Sequence, residues 1–93
     1  MSLNAVKIDA LDNVAVAIEA ISANEMATYK LDNELISIKA LNDITIYHKL
    51  ASRDIKKDEP IVKYGEHIGI AKVDIKQGEH VHTHNVLSHR EDL

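Results

Sequence analysis

The chain has no cysteine, no tryptophan and no phenylalanine, and only one proline and three glycines in 93 residues. Without cysteine there is neither a disulfide framework nor a thiolate metal site. Three tyrosines are its entire aromatic content, and its eleven Lys and Arg are scattered through a chain of net charge −4. A nucleic-acid surface needs a basic patch, commonly interleaved with stacking rings, so nucleic acid is not expected as a partner. No apolar run approaches the ~18 residues that would span a bilayer, and the first residues lack the charged-then-apolar order of a secretion signal. Neither a membrane nor export is therefore expected, which leaves the cytoplasm. There is also no G-x-S-x-G, P-loop, dinucleotide fingerprint or H-E-x-x-H.

What is present is 45% apolar residues, almost all Ile, Val, Leu and Ala, with 28% charged. β-Branched side chains fill half-buried pleated surfaces well, so the composition favours strands. The length fits one domain, residues 1–93, with residues 1–4 as a leading tail and 88–93 as a trailing tail or linker. A chain this small buries only about two-thirds of its unfolded surface, so the core is thin. Lacking covalent staples, it leans on a partner: the rest of a longer chain, a second subunit or another copy of itself.

Residues 7–11 (K-I-D-A-L) alternate apolar and polar and read as a first strand, and Asp12-Asn13 supplies turn chemistry. The next run is ambiguous, because Val14, Ala17, Ile18 and Ile21 also fit one helical face. An internal repeat breaks the tie. Residues 51–61 align with 71–81 at a shift of 20, and 17–27 is a fainter copy, on the pattern A-x-x-(D/A)-I-x-x-(G/D/N)-E. The turn position holds Asn24, Asp58 and Gly78, the residue types that best tolerate positive φ. Each unit reads as a helical turn anchored by a buried isoleucine (Ile21, Ile55, Ile75), then a reversal, then a strand. Between units, Asp32-Asn33 joins two alternating runs as a β-hairpin. Asn42-Asp43 turns into a strand at 44–47, Pro60 stands at a strand entrance, and Gly65 and Gly69 bracket a connection into a strand over 68–73. The sum is an irregular all-β domain of short strands with short helical turns.

Residues 63–85 hold all three glycines and four of the six histidines. If 79–85 is a strand, His80, His82 and His84 share a face. Cα atoms two residues apart are about 6.5–7 Å from each other, near enough for both imidazoles to reach one ion, whereas four residues give about 13 Å. At most two of the three would then ligate one metal; the plain alternative is a solvated strand face. His48-Lys49 pairs two groups suited to acid–base chemistry, against an alternative of two exposed loop residues. Lys63-Tyr64-Gly65 offers a cation, a phenol and an unobstructed backbone N–H, suited to a carboxylate or to an ordinary turn.

Four ordered motifs carry a resemblance. They are Asp12-Asn13-Val14-Ala15, His48-Lys49-x-Ala51-x-x-Asp54-Ile55, Lys63-Tyr64-Gly65-x-x-Ile68-Gly69-x-Ala71 and Gly78-Glu79-His80-Val81-His82-x-His84-Asn85. Together, over residues 5–88, the chain resembles the N-terminal SAF domain of the altronate and galactarate dehydratase family, and the last motif favours the altronate branch. The resemblance implies a β-clip fold and a hydro-lyase that converts a sugar acid to a 2-keto-3-deoxy acid with Fe²⁺ or Mn²⁺. It implies catalytic roles for His48 and Lys49, substrate contacts from Asp12, Asn13, Lys63, Tyr64, Gly65 and Asn85, and metal contacts from His82, His84 and His80. The family's full enzymes are several times longer, so it also implies a large C-terminal domain or subunit, without which this chain is inactive. Some relatives carry the two parts as small and large subunits, including sulfo-lyases acting on sulfolactate, which makes that substrate the alternative. A second alternative is a non-catalytic ligand-binding module, a use to which SAF domains are also put.

Overall fold

One unit, used four times, organises the chain. In the computed structural model, which describes residues 3–88, segments 18–26, 41–49, 52–60 and 72–80 each run through a bend, a single bridge, a tight turn and a strand start. The bridge residues are Ile21, Ile44, Ile55 and Ile75, none more than 2% exposed. They pair across the molecule, Ile21 with Ile44 and Ile55 with Ile75, through backbone hydrogen bonds of 2.7–3.0 Å. Each buried isoleucine contributes about 1.5–3 kcal/mol, against about 0.5–1.5 kcal/mol for a hydrogen bond. The anchors therefore dominate, and the bonds set their register.

The reversal after each anchor is a four-residue turn whose fourth N–H donates to the first C=O, at 2.9–3.0 Å. Its third residue has positive φ: 75° at Asn24, 70° at Tyr47, 74° at Asp58 and 90° at Gly78. That combination defines a type II turn. Three units add a glutamate in fourth place, Glu25, Glu59 and Glu79, whose carboxylate accepts the N–H of Ser22, Lys56 or Lys76 at 2.6, 2.9 and 3.1 Å. Each turn then docks by two backbone bonds on a buried alanine: Ala40, Ala17, Ala71 and Ala51 in chain order of the units. Only a small side chain allows that approach of one backbone to another.

Aspartates lock the paired units reciprocally. Asp54 accepts the Gln77 N–H (2.8 Å) and Asp74 the Lys57 N–H (2.9 Å). In the other pair Asp43 accepts the Ala23 N–H (2.8 Å), but the residue facing Ile46 is Ala20. An open groove of about 340 Å³, lined by Ala20, Asp43 and Ile46 among others, marks the missing side chain. Ala20→Asp should restore the cap and raise stability by about 0.5–1.5 kcal/mol. An unchanged urea midpoint would show that the two pairs are not equivalent.

Nine strands lie among the described residues: β1 (Ala5–Val6), β2 (Val14–Ala17), β3 (Met26–Leu31), β4 (Glu34–Lys39), β5 (Lys49–Ala51), β6 (Pro60–Lys63), β7 (Glu66–Ala71), β8 (His80–Val81) and β9 (Val86–Ser88). They form an antiparallel sheet β1-β2-β5-β8, the hairpin β3-β4 and a sheet β6-β7-β9. Both hairpins close through two-residue loops with positive φ at each position, Asp32-Asn33 and Tyr64-Gly65, the type I′ geometry that matches strand twist. There are two cores. One gathers Ile21, Ile44, Leu50 and Tyr29, and the other Ile55, Ile61, Ile75 and Val81. Strands β2 and β5 feed both, Ala15 and Leu50 entering the first while Val14 and Ala51 enter the second.

The mainly-β expectation holds, as do the three isoleucine anchors and their turn residues. Several local expectations do not. Residues 7–11 are no strand: β1 lies just before, and Asp9 starts a turn in which its carboxylate accepts the Leu11 N–H (2.8 Å). No helical turn occurs in the units: each one's internal backbone bond closes a type II turn with positive φ, and the anchors bond to neighbouring segments. Residues 44–47 are the anchor and turn of the second unit, not a strand. Gly69 lies inside β7, where a Cβ would come within 2.7 Å of the Leu87 carbonyl oxygen, and only Gly65 is in the connection. Asn4, read as tail, bonds to Thr28 and Met26, and Ser88 ends β9; residues 1–2 and 89–93 lie outside the described residues. No helix of the described residues is long and apolar enough to cross a membrane.

Candidate active site

β5 pairs antiparallel with β8 in the register Lys49↔Val81 and Leu50↔His80. Carrying that register one residue further sets His48 opposite His82. Their rings stack at 3.9 Å between centroids and 14° between planes. His48 Nδ1 and His80 Nε2 are 2.9 Å apart, and one nitrogen from each of His48, His80 and His82 lies within 4.8 Å of the others. His84 stacks on His80 at 5.1 Å but is exposed and outside the three-nitrogen group.

The flat histidine strand expected over 79–85 is not there. β8 is two residues long, and residues 82–85 turn back through the Asn85 N–H to His82 C=O bond (3.1 Å). Asn85 holds this turn from beneath. It is buried, its Oδ1 accepts the His82 N–H (3.0 Å), and its Nδ2 donates to the His80 carbonyl (2.8 Å). The bond from the His82 N–H to Asn85 fixes His82 at the end of β8, opposite His48.

His48 also has a position in the repeat. It occupies the place that Glu25, Glu59 and Glu79 hold in the other units, where the carboxylate caps the turn. An imidazole in that place reaches its partners across β5 and β8. The residue before it is Tyr47, at φ 70° and 73% exposed. Left-handed backbone costs a non-glycine residue roughly 1–2 kcal/mol, and so exposed a side chain recovers little of it by packing. The unit that bears the imidazole is thus the least favourable of the four for folding.

Burial, neighbouring imidazoles and lysine ammonium groups set the electrostatics of the cluster. Desolvation pushes the His80 pKa down to about 4, with further lowering by His84, His48, His82 and Lys49. His82 is lowered by desolvation first and then by His48, Lys49 and His84. Both are therefore neutral at pH 7, the form in which imidazole ligates metals. Lys49 is lowered by desolvation and by the ammonium of Lys63, which increases its free-amine fraction.

Lys63 ends β6, with its ammonium 5.1 Å from the Tyr64 ring centroid and Tyr64 itself in the hairpin loop. The neighbouring Gly65 N–H is already engaged, donating to Asp12 Oδ1 at 2.8 Å. Asp12 Oδ2 accepts the Asp9 N–H (3.1 Å); the Asn13 amide donates to the Pro60 carbonyl (2.9 Å) and accepts the Val62 N–H (2.8 Å). Both side chains are buried and stitch β6 and its loop to the start of β2. The structure thus brings together His48, Lys49, His80 and His82, adds the charge of Lys63 and leaves His84 at the rim. Asp12, Asn13, Gly65 and Asn85 lie underneath as fasteners. Asn42, whose Oδ1 accepts the His80 N–H at 3.0 Å, was not singled out in the sequence.

Comparison with known proteins gives a consistent result. The family model described as the altronate/galactarate dehydratase SAF domain matches residues 3–89. The altronate dehydratase of Escherichia coli (strain K12) is 41% identical over 88 residues, which cover 95% of this chain and 17% of that protein. That of Bacillus subtilis (strain 168) is 40% identical over 88 residues, again 17% of the protein. The (2R)-sulfolactate sulfo-lyase subunit alpha of Chromohalobacter salexigens is 41% identical over 93 residues, 97% of this chain and 99% of that subunit. The chain therefore spans a small fraction of the dehydratases it matches and nearly the whole of the sulfo-lyase subunit.

Proposed function

Because the chain belongs to the altronate/galactarate dehydratase SAF-domain family, we propose that it is the small part of a hydroxy-acid lyase, completed by a larger domain or subunit. The reaction of first choice is loss of water from a sugar acid of the altronate type, giving a 2-keto-3-deoxy acid. The observation that carries this is the His48–His80–His82 group with Lys49 beside it, itself neighboured by Lys63. Such a lyase must take the proton α to a carboxylate and hold the negative charge that develops. Lys49, its amine made available by desolvation and by Lys63, takes that proton. Lys63 and Tyr64, at the hairpin loop, grip the carboxylate.

The three imidazoles suit the divalent ion that the family implies. Two nitrogens 2.9 Å apart match the spacing of adjacent ligands about 2.0–2.1 Å from one ion, and two of the three rings are held neutral. An all-imidazole set fits Fe²⁺ better than Mn²⁺, which prefers carboxylate and water oxygens. When bound, the ion supplies Lewis acidity toward the substrate oxygens. His48 joins this set in place of His84, and the base role falls to Lys49. In anaerobic titration, His82→Ala should weaken Fe²⁺ binding by the isolated chain at least ~10-fold; equal affinity would return the histidines to a solvated surface.

One observation favours sulfolactate as the alternative substrate. The sulfo-lyase subunit named for that substrate is as similar to this chain as the dehydratases are, at 41% identity. Reconstitution separates the readings: the chain is assayed with altronate and with sulfolactate, alone and with its large counterpart. We expect turnover only in the mixture. Turnover by the chain alone would overturn the half-site reading, and none with either substrate would overturn the lyase reading.

A further inference from the structure

We propose that Asn42 is a positioning residue, holding His80 in register for the imidazole group. β8 is an edge strand in the order β1-β2-β5-β8, so one side of it has no strand partner. On that side the His80 backbone is satisfied by two asparagine side chains. Asn42 Oδ1 accepts its N–H at 3.0 Å, and Asn85 Nδ2 donates to its carbonyl at 2.8 Å while Asn85 Oδ1 accepts the His82 N–H. The two amides hold the short strand as a further strand would, but at the histidines alone.

The chain path explains why Asn42 can reach. The Leu41 N–H donates to the Gly78 carbonyl at 2.9 Å, which lays the entry of the second unit along the turn of the fourth. The next residue is then level with the start of β8. At the same place in the other units stand Glu19, Arg53 and Val73. The asparagine thus belongs to the unit that also carries His48. That one unit delivers His48 and fixes the backbone of its partner 32 residues further on. Asn42 is exposed and in neither core, so its removal leaves the fold's anchors in place.

The test uses Asn42→Ala and Asn42→Asp in the full chain, the aspartate retaining an acceptor oxygen. The first readout is the imidazole ¹⁵N spectrum, which reports the His48 Nδ1 to His80 Nε2 pairing with no ion present. The second is Co²⁺ affinity, which rests on the lyase reading above. Asn42→Ala should shift the His48 and His80 ring nitrogens and weaken Co²⁺ binding about 10-fold, the low end for groups that orient a ligand. Asn42→Asp should keep the wild-type ring pattern, and both variants should melt within a few degrees of wild type. Ring spectra unchanged by alanine, or changed equally by aspartate, would overturn the proposal. So would a fall in melting temperature that accounts for the loss. Wild-type protein that ignores Co²⁺ would count against the metal reading, while the ring spectra still decide the role of Asn42.

Discussion

His48→Glu is expected to make the domain more stable and the site inert. The other three units carry glutamate at this place, each capping its turn by accepting the N–H three residues earlier. A glutamate at 48 would cap Thr45 in the same way, a bond contributing about 0.5–1.5 kcal/mol. In a domain of this size that raises the melting temperature by about 4–8 °C per kcal/mol. The same change removes one of three imidazoles and sends a carboxylate into the turn. On the proposed reading, Fe²⁺ affinity should fall at least ~10-fold, and turnover with the large counterpart should fall with it. Thermal melting and turnover measured on one preparation would settle both halves. A destabilised variant would deny that the units are equivalent, and an active one would deny His48 its place in the site.

The largest loss of stability should follow Gly78→Ala. A Cβ at Gly78 would lie 2.1 Å from the Lys39 carbonyl oxygen, and the backbone there has φ +90°. The methyl group can be admitted only by pulling the fourth turn away from β4, against the Leu41–Gly78 and Gly78–Ala51 bonds of 2.9 and 2.8 Å. Backbone strain of about 1–3 kcal/mol adds to overpacking of about 1–3 kcal/mol. A small domain has only about 5–15 kcal/mol in all, so a large part of its stability goes. Asn24 and Asp58 occupy the same turn position with side chains in place, so the demand for glycine comes from β4 and not from the turn. A urea midpoint near that of wild type would refute this.

Much of the frame was legible in the residues because it rests on local chemistry. Asn24, Asp58 and Gly78 announce positive φ, Asp32-Asn33 announces a type I′ hairpin, and Ile21, Ile55 and Ile75 recur at one offset from them. The second unit was not legible, because two of its identifying letters are replaced by Tyr47 and His48. Ala40-x-x-Asp43-Ile44 was the remaining signal, matching Ala51-x-x-Asp54-Ile55 and Ala71-x-x-Asp74-Ile75. The repeat is thus least visible where the candidate site lies. The individual histidines were legible too, but their grouping was not. It depends on the β5–β8 register and on a turn that Asn85 closes, neither of which is written near His48.

The two cores meet at this site. His48 follows Ile44, an anchor of the first core, whereas His80 and His82 follow Ile75, an anchor of the second. Anything held by all three imidazoles would act as a removable rivet between the segment anchored by Ile44 and the one anchored by Ile75. A ligand that binds only the folded state would add RT ln(1 + [L]/Kd) to the free energy of unfolding, about 2.7 kcal/mol at a hundredfold excess over Kd. Occupancy of the site and cohesion of the domain are then one equilibrium, and a thin-cored chain is sturdiest when it is loaded for work.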